Sequence, residues 1–191
     1  VGSEMCIRDR AISMRYLPNG KQMSEADAHT IHEIGIPSLV LMERAALQII
    51  ETMHKKNIST EKSLIVCGSG NNGGDGFAVA RLLTEQGKHA DVLFAGKEAS
   101  LSEECRCQKQ IVENMGISVF TEFPDEEYTV IIDAVFGVGL CREITGHYKD
   151  VIDWMNLQDA EKVAVDIPSG ICATTGKILG TAFRADLTVC M

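Results

Sequence analysis

The chain has 191 residues, 45% of them apolar and 24% charged, with a formal net charge of −9. That length suffices for one domain with a full core, and the composition is ordinary for a water-soluble globular protein. With no Lys/Arg run, no apolar stretch of bilayer length and no signal-peptide core, nucleic acid and membranes are excluded as partners.

An anionic substrate would have to be held by local donors, such as backbone N–H groups, against this net charge. The seven cysteines (Cys6, Cys67, Cys105, Cys107, Cys141, Cys172, Cys190) are odd in number and form no C-x-x-C pair. They predict reduced thiols in a cytosol-like compartment, and hence a cytoplasmic protein. Cys105 and Cys107 have no His/Cys cluster nearby and read as ordinary thiols.

Residues 1–13 have no periodicity, and Met14 reads as a natural start, so the leader is expected to be non-native. Residues 14–191 read as one domain. Its last stretch, 185–191, reads as a strand that stops without a turn, as in a domain truncated at its C-terminus.

The first predicted element is a helix opened by the S-x-x-D pattern of Ser24 and Asp27, with Ala28, Ile31 and Ile34 on one face and Gly35 closing it. Pro37 suits the first turn of a second helix, along which Leu39, Met42, Ala46, Ile49, Ile50 and Met53 recur at helical spacing. From Ser63 the pattern changes. Short apolar runs at 63–67, 90–95, 117–121, 129–134, 162–166 and 186–190 predict six strands. Helices are predicted between them over 76–86, 102–115 and 147–157, the first two stopped by Gly87 and Gly116. Strands alternating with helices at this spacing predict right-handed crossovers and a mostly parallel sheet. The fold class is therefore a Rossmann-like three-layer α/β/α sandwich with an N-terminal helical segment.

Ligands of such sheets bind beyond the carboxyl ends of the strands, and three unusual stretches fall there. Residues 67–76 hold five glycines within nine positions between a strand and a helix. They predict a loop whose backbone approaches a nucleotide phosphate at a helix N-terminus. No Lys-Ser/Thr follows, so this is not an ATPase P-loop. The G-x-G-x-x-G match lacks an acidic residue near Ala95, Gly96 and Lys97 to hold a ribose, which argues against an ordinary NAD dehydrogenase. The second stretch is Asp133 running into a glycine-bearing loop. The third is Asp166-Ile167-Pro168-Ser169-Gly170, a rigid turn that fixes Asp166 and Ser169. His29 and His32, three apart on a helix, have no third metal ligand in view. Trp154 and Met155 read as core.

Taken together, these stretches resemble the NAD(P)H-hydrate epimerase family, also called the YjeF N-terminal domain, which includes the apolipoprotein A-I-binding protein. The resemblance is carried by GSGNNGGDGFAVARLL from Gly68, DAVFGVGLCREI from Asp133, VAVDIPSG from Val163 and MERAA from Met42. It implies an isomerase that interconverts the R and S epimers of hydrated NADH and NADPH, so that a dehydratase specific for S can restore the cofactor. It further implies substrate contacts from Asn71, Asn72, Gly73, Gly74 and Asp75. Gly137, Val138, Gly139, Leu140, Cys141, Arg142 and Glu143 are implied as a second substrate-binding stretch, with Asp166 as a further contact. One potassium ion per subunit would be held by Asn72, Asp133 and Ser169, all oxygen donors. With Asp133 on the cation, Asp166 is left as the catalytic proton carrier. A homodimer and a dehydratase, fused or separate, are the partners so implied. The competing reading is a catalytically silent nucleotide-binding or interaction module of the same fold. Retention of Asn72, Asp133, Asp166 and Ser169 favours the enzyme.

Overall fold

The computed structural model describes residues 20–190. The leader at 1–13, the start at Met14 and Cys6 lie outside the described residues. Among the described residues no helix is long and apolar enough to cross a membrane.

Helix α1 (Gly20–His29) passes into a short π-helical turn (Thr30–Ile34) that ends at Gly35 in the left-handed region, φ 85°. Gly35 therefore closes the helix as the sequence predicts. The start differs: α1 is already helical at Gly20, so position 24 lies within the helix and not at its start. The predicted apolar face is not a core face either. Ala28 is exposed, Ile31 is half-buried and Ile34 is 61% exposed. Helix α2 (Ser38–Lys55) does bury Met42, Ala46, Ile49, Ile50 and Met53, while Leu39 faces outward.

The sheet contains β1 (Lys62–Cys67), β2 (His89–Phe94), β3 (Val119–Phe120), β4 (Val130–Ala134), β5 (Glu161–Val165) and β6 (Leu187–Val189). Their spatial order is β3-β2-β1-β4-β5-β6 and every pairing is parallel. This is the doubly wound order, in which the chain reverses direction across the sheet between β1 and β4. The helices α3 (Asn71–Glu85), α4 (Glu103–Asn114) and α5 (His147–Leu157) fill the crossovers. Helices α2, α3 and α4 cover one face of the sheet around Ile49, Met53, Phe77, Leu83 and Ile132. Helix α5 covers the other, with Leu64, Val66, Ile131, Ile152 and Met155. Trp154 is half-buried at the rim of that second core, stacked on Phe123 at 4.9 Å.

The largest departure from the sequence reading lies after β1. Helix α3 begins at Asn71, not Gly76, so the sequence from Asn71 to Asp75 is its first turn and more, not a loop. Gly68, Gly70, Gly73, Gly74 and Gly76 are all absent from the left-handed region. Most serve close packing instead. A Cβ on Gly68 would lie 2.1 Å from the Val135 carbonyl oxygen, and one on Gly73 would lie 2.0 Å from the Gly68 oxygen. A Cβ on Gly76 would meet Ala134 Cβ at 2.6 Å. These contacts press the start of α3 against the carboxyl ends of β1 and β4, and Gly68 N–H donates to Ala134 O at 3.0 Å.

Because the atom facing Gly68 is backbone, no rotamer change can relieve a methyl there. Gly68→Ala is expected to cost about 3 kcal/mol, read as a lower urea midpoint with unchanged slope. Gly139→Ala, where a Cβ meets nothing within 4 Å, should change stability by less than about 0.5 kcal/mol.

Candidate active site

The carboxyl ends of β1, β4 and β5 place the three singled-out stretches side by side. At the end of β4, Asp133 is completely buried. Its Oδ2 accepts from Ser169 N at 2.7 Å, while Oδ1 accepts from Ser169 Oγ at 2.7 Å and Val135 N at 3.2 Å. Ser169 Oγ in turn accepts from Phe136 N at 2.9 Å. One carboxylate thus ties the loop after β4 to the loop after β5. Burial pushes the Asp133 carboxyl up to about 6, against the lowering pull of the Ser169 and Val135 donors.

Asp166 follows β5 directly. It is half-buried, and its backbone is left-handed at φ 66°. Only a few per cent of non-glycine residues adopt that region, with Asp among the more tolerant types. The conformation is fixed by Asp166 N–H donating to Val189 O at 2.8 Å. It turns Oδ2 toward the loop after β4, where Val138 N donates to it at 3.1 Å. A Cβ on Gly137 would lie 3.0 Å from that same oxygen and 3.5 Å from Asn72 Cβ. Gly137 is therefore the gap through which the β4 loop passes between Asp166 and the first turn of α3.

Asn71 is exposed and Asn72 half-buried in that turn, whereas Gly73 and Gly74 are buried. A Cβ on Gly74 would meet Met42 Cε at 2.6 Å, which is how α2 enters the site's rear wall. Cys105 Sγ packs against the same turn, 3.6 Å from Gly68 O. The first amides of α3 lack intrahelical acceptors by geometry, and Gly70 caps them without a side chain. They remain available to an anion. Asn72 Nδ2 is buried without a hydrogen-bond partner. A rotated amide would put its oxygen in that place.

Asp75 lies one turn further into α3. Burial pushes its carboxyl up to about 8, and the nearby charges of Asp166 and Asp27 push the same way. Asp166 is raised too, mainly by burial and in part by Asp27, with the Val138 N–H pulling the other way. Asp27 of α1 is thus an electrostatic neighbour of both carboxyls. The sequence reading placed it in a helix cap, since nothing in its local pattern reports a contact some fifty positions away.

The second stretch divides. Gly137 and Val138 face Asp166, and Leu140 is half-buried. Gly139, Cys141, Arg142 and Glu143 are exposed. Leu140, Arg142 and Glu143 line a separate cavity of about 310 Å³, whose other walls include Lys97, Phe136, His147 and Tyr148. In the sequence Lys97 stands out only as the place where an acid is absent, Phe136 only as part of the stretch after Asp133, and His147 and Tyr148 only as the start of a helix. His29 and His32 are exposed and join no metal-binding group among the described residues. A group that could hold a metal is His89, Asp91 and Glu126, at the opposite, N-terminal edge of the sheet. There Glu126 is paired with Lys62 at 2.7 Å, and Tyr128 OH donates to Asp91 at 3.1 Å.

The raised Asp75 carboxyl has a consequence for stability. Between its ordinary value of 3.8 and about 8, the folded state holds a proton that the unfolded chain has released. That contribution is complete below about 3.8 and is lost as pH rises through about 8. Asp75→Asn should therefore be more stable than the wild type at pH 9, with the difference vanishing toward pH 4. Urea midpoints across that range measure it, and a pH-independent difference would count against a proton on Asp75.

The family model for the "YjeF-related protein N-terminus" matches residues 38–191. The NAD(P)H-hydrate epimerase of Weissella koreensis is 44% identical over 169 residues, covering 88% of this chain and 76% of that protein. The NAD(P)H-hydrate epimerase of Oenococcus oeni is 43% identical over 175 residues, covering 91% and 83%. The crystal structure of yeast ynu0 (YNL200c) superposes with a TM-score of 0.79 at 20% identity, covering 91% of this chain and 79% of that one, and establishes the shared fold. With the matched region spanning the strand-end site and the helix before it, and with these NAD(P)H-hydrate epimerases similar over most of its length, the chain belongs to the YjeF N-terminal family.

Proposed function

We propose that the protein is an NAD(P)H-hydrate epimerase, an isomerase that interconverts the R and S forms of hydrated NADH and NADPH. The observation that carries this reading beyond family membership is the pairing of two unlike carboxyl groups at one strand-end site. Both are half-buried, but the Asp75 carboxyl is pushed up to about 8, chiefly by burial, whereas Asp166 accepts the Val138 N–H, which opposes the upward push of burial. Carboxyls with environments that separate their proton affinities suit acid and base work.

The reacting carbon of the hydrate carries a hydroxyl and adjoins the ring nitrogen. Asp166 donates a proton to that hydroxyl, and the carbon–oxygen bond breaks as the nitrogen lone pair forms a C=N bond. The departing group is water. Water then adds to the opposite face, its oxygen bonds to carbon, the electron pair returns to nitrogen and the proton returns to Asp166. Atoms and charge balance, and the carbon is inverted. Asp75 is the neighbouring proton reserve on this reading. The phosphates lie against the first amides of α3, with Asn71 and Asn72 beside them and the Gly137–Glu143 stretch as the second wall.

Asn72, Asp133 and Ser169 fit a potassium ion. They offer amide, carboxylate and hydroxyl oxygens, the buried Asn72 Nδ2 has no hydrogen-bond partner, so rotation of that amide would bring its oxygen there at the loss of no hydrogen bond from Nδ2, and the Asp133 carboxylate has no ion-pair partner among the described residues. Bound there, one ion per subunit would offset the charge of Asp133 and favour its ionised form.

The same reading carries a cytoplasmic location, a homodimer and a dehydratase partner, fused or separate. The outward apolar side chains Ile34, Leu39, Val40 and Leu47 at the N-terminal helices, 37–61% exposed, support a self-association surface there.

With purified R-hydrate as substrate, Asp166→Asn is expected to lower the rate of conversion to S by about a hundredfold or more, while binding changes by only a few fold. Full epimerisation by Asp166→Asn with unchanged binding would remove Asp166 from the chemistry.

A further inference from the structure

We propose that the cavity beside the site reads the 2′-phosphate that distinguishes hydrated NADPH from hydrated NADH, with Lys97 and Arg142 as the cations that hold it. This rests on the nucleotide-hydrate reading above and names which of the two nucleotides the site prefers.

The cavity is lined by Lys97 from the turn after β2, by Phe136, Arg142 and Glu143 from the loop after β4, and by His147 and Tyr148 of α5. Among the described residues, Lys55, Lys62, Arg81, Lys88, Lys109 and Lys149 all pair with carboxylates. Lys97 and Arg142 are not among those pairs, and neither are Arg44, Lys56, Arg106, Lys162, Lys177 and Arg184, but of these only Lys97 and Arg142 line this cavity, with Glu143 its one carboxylate. Two cations against one carboxylate leave the cavity lining with a net positive charge, which favours a further anion. A dinucleotide can bring its pyrophosphate or, in the NADPH form, a 2′-phosphate monoester.

The topology says which phosphate. In the doubly wound order found here, the pyrophosphate rests on the helix after β1, and the ribose then lies over the end of β2. An acid at that position reads a 2′-hydroxyl, and a cation reads a 2′-phosphate. Here the turn after β2 runs Ala95-Gly96-Lys97-Glu98. Its one carboxylate, Glu98, is drawn away to Lys109 of α4 at 2.8 Å. Lys97 is held at the cavity because its N–H donates to Ser69 Oγ at 2.8 Å, in the turn directly before α3. The spacing is tight enough that a Cβ on Gly96 would lie 2.4 Å from the same Ser69 Oγ. Phe136 and Tyr148, with ring centroids 4.8 Å apart, give the cavity an apolar side for the base.

The test compares kcat/KM for the two R-hydrates in the wild type, Lys97→Ala and Arg142→Ala. Adenosine 2′,5′-bisphosphate and 5′-AMP are titrated calorimetrically in parallel. Lys97 is exposed, so its replacement leaves the core intact. The wild type should favour the NADPH hydrate and the bisphosphate. Each substitution should reduce the NADPH-to-NADH ratio, and the bisphosphate-to-AMP affinity ratio, by about tenfold, as expected for one charge-assisted contact. Equal losses on both hydrates would mean that the cations hold a phosphate common to both, and would overturn the proposal, as would no loss. If the wild type turns over neither hydrate, the functional reading fails, and the bisphosphate-to-AMP ratio alone decides the fate of the cavity proposal.

Discussion

A carboxylate taken fully out of water is costly unless every lone pair finds a donor. Asp133 at the end of β4 is in that position, and Ser169 answers it twice, through its N–H and its hydroxyl, with Val135 N–H as a third donor. This one cluster decides how the two loops beyond the sheet are joined. Ser169 cannot satisfy Asp133 unless the β5 loop folds back over the end of β4. Its oxygen then receives Phe136 N–H, which fixes the start of the β4 loop. Asp166 and Val138 are brought together by the same closure. The burial that makes the cluster necessary also leaves the Asp133 carboxyl raised to about 6. A cation beside it would offset that burial.

The second constraint is steric. Helix α3 starts so close to β1 and β4 that Gly68, Gly73 and Gly76 have no room for a methyl group. That closeness sets the first amides of α3 and the side chains of Asn71 and Asn72 beside the loop anchored by Asp133. Among the described residues two non-glycine residues have positive φ, Asn57 and Asp166, and the one at the site is Asp166, where φ is 66°. Such strain persists where surrounding contacts over-determine it, and here the Val189 carbonyl and the Val138 amide do so from opposite ends of the residue.

Much of this was legible in the sequence because it follows from period and punctuation. Apolar runs ending in glycine or aspartate marked β1, β4 and β5 within about a residue, and the strand–helix alternation required a parallel sheet. What escaped the sequence was of two kinds. The glycines after β1 read in sequence as conformational freedom in a loop, whereas Gly73, Gly74 and Gly76 act by their small size inside a helix and Gly68 just before it, and composition alone cannot separate those two uses. Contacts between distant elements were also hidden. Asp27 looked like part of a cap, and Lys97 appeared only as the place where an acid was absent. The α1 face of Ala28, Ile31 and Ile34 has helical spacing, yet helical spacing does not say whether a face meets the protein's own core. The short β3 shrank to Val119–Phe120 because it lies at the sheet edge, with a neighbour on one side only.

The proposed cation site is a single set of oxygens from Asn72, Asp133 and Ser169 beside the nucleotide. Anomalous diffraction from crystals grown with rubidium in place of potassium, and soaked with NADP, tests this most directly. A rubidium peak within coordination distance of oxygens of Asn72, Asp133 and Ser169, with nucleotide phosphate density at the first turn of α3, is the predicted result. Nucleotide bound at α3 with no ion between those three residues, or an ion held instead at His89, Asp91 and Glu126 alone, would contradict it.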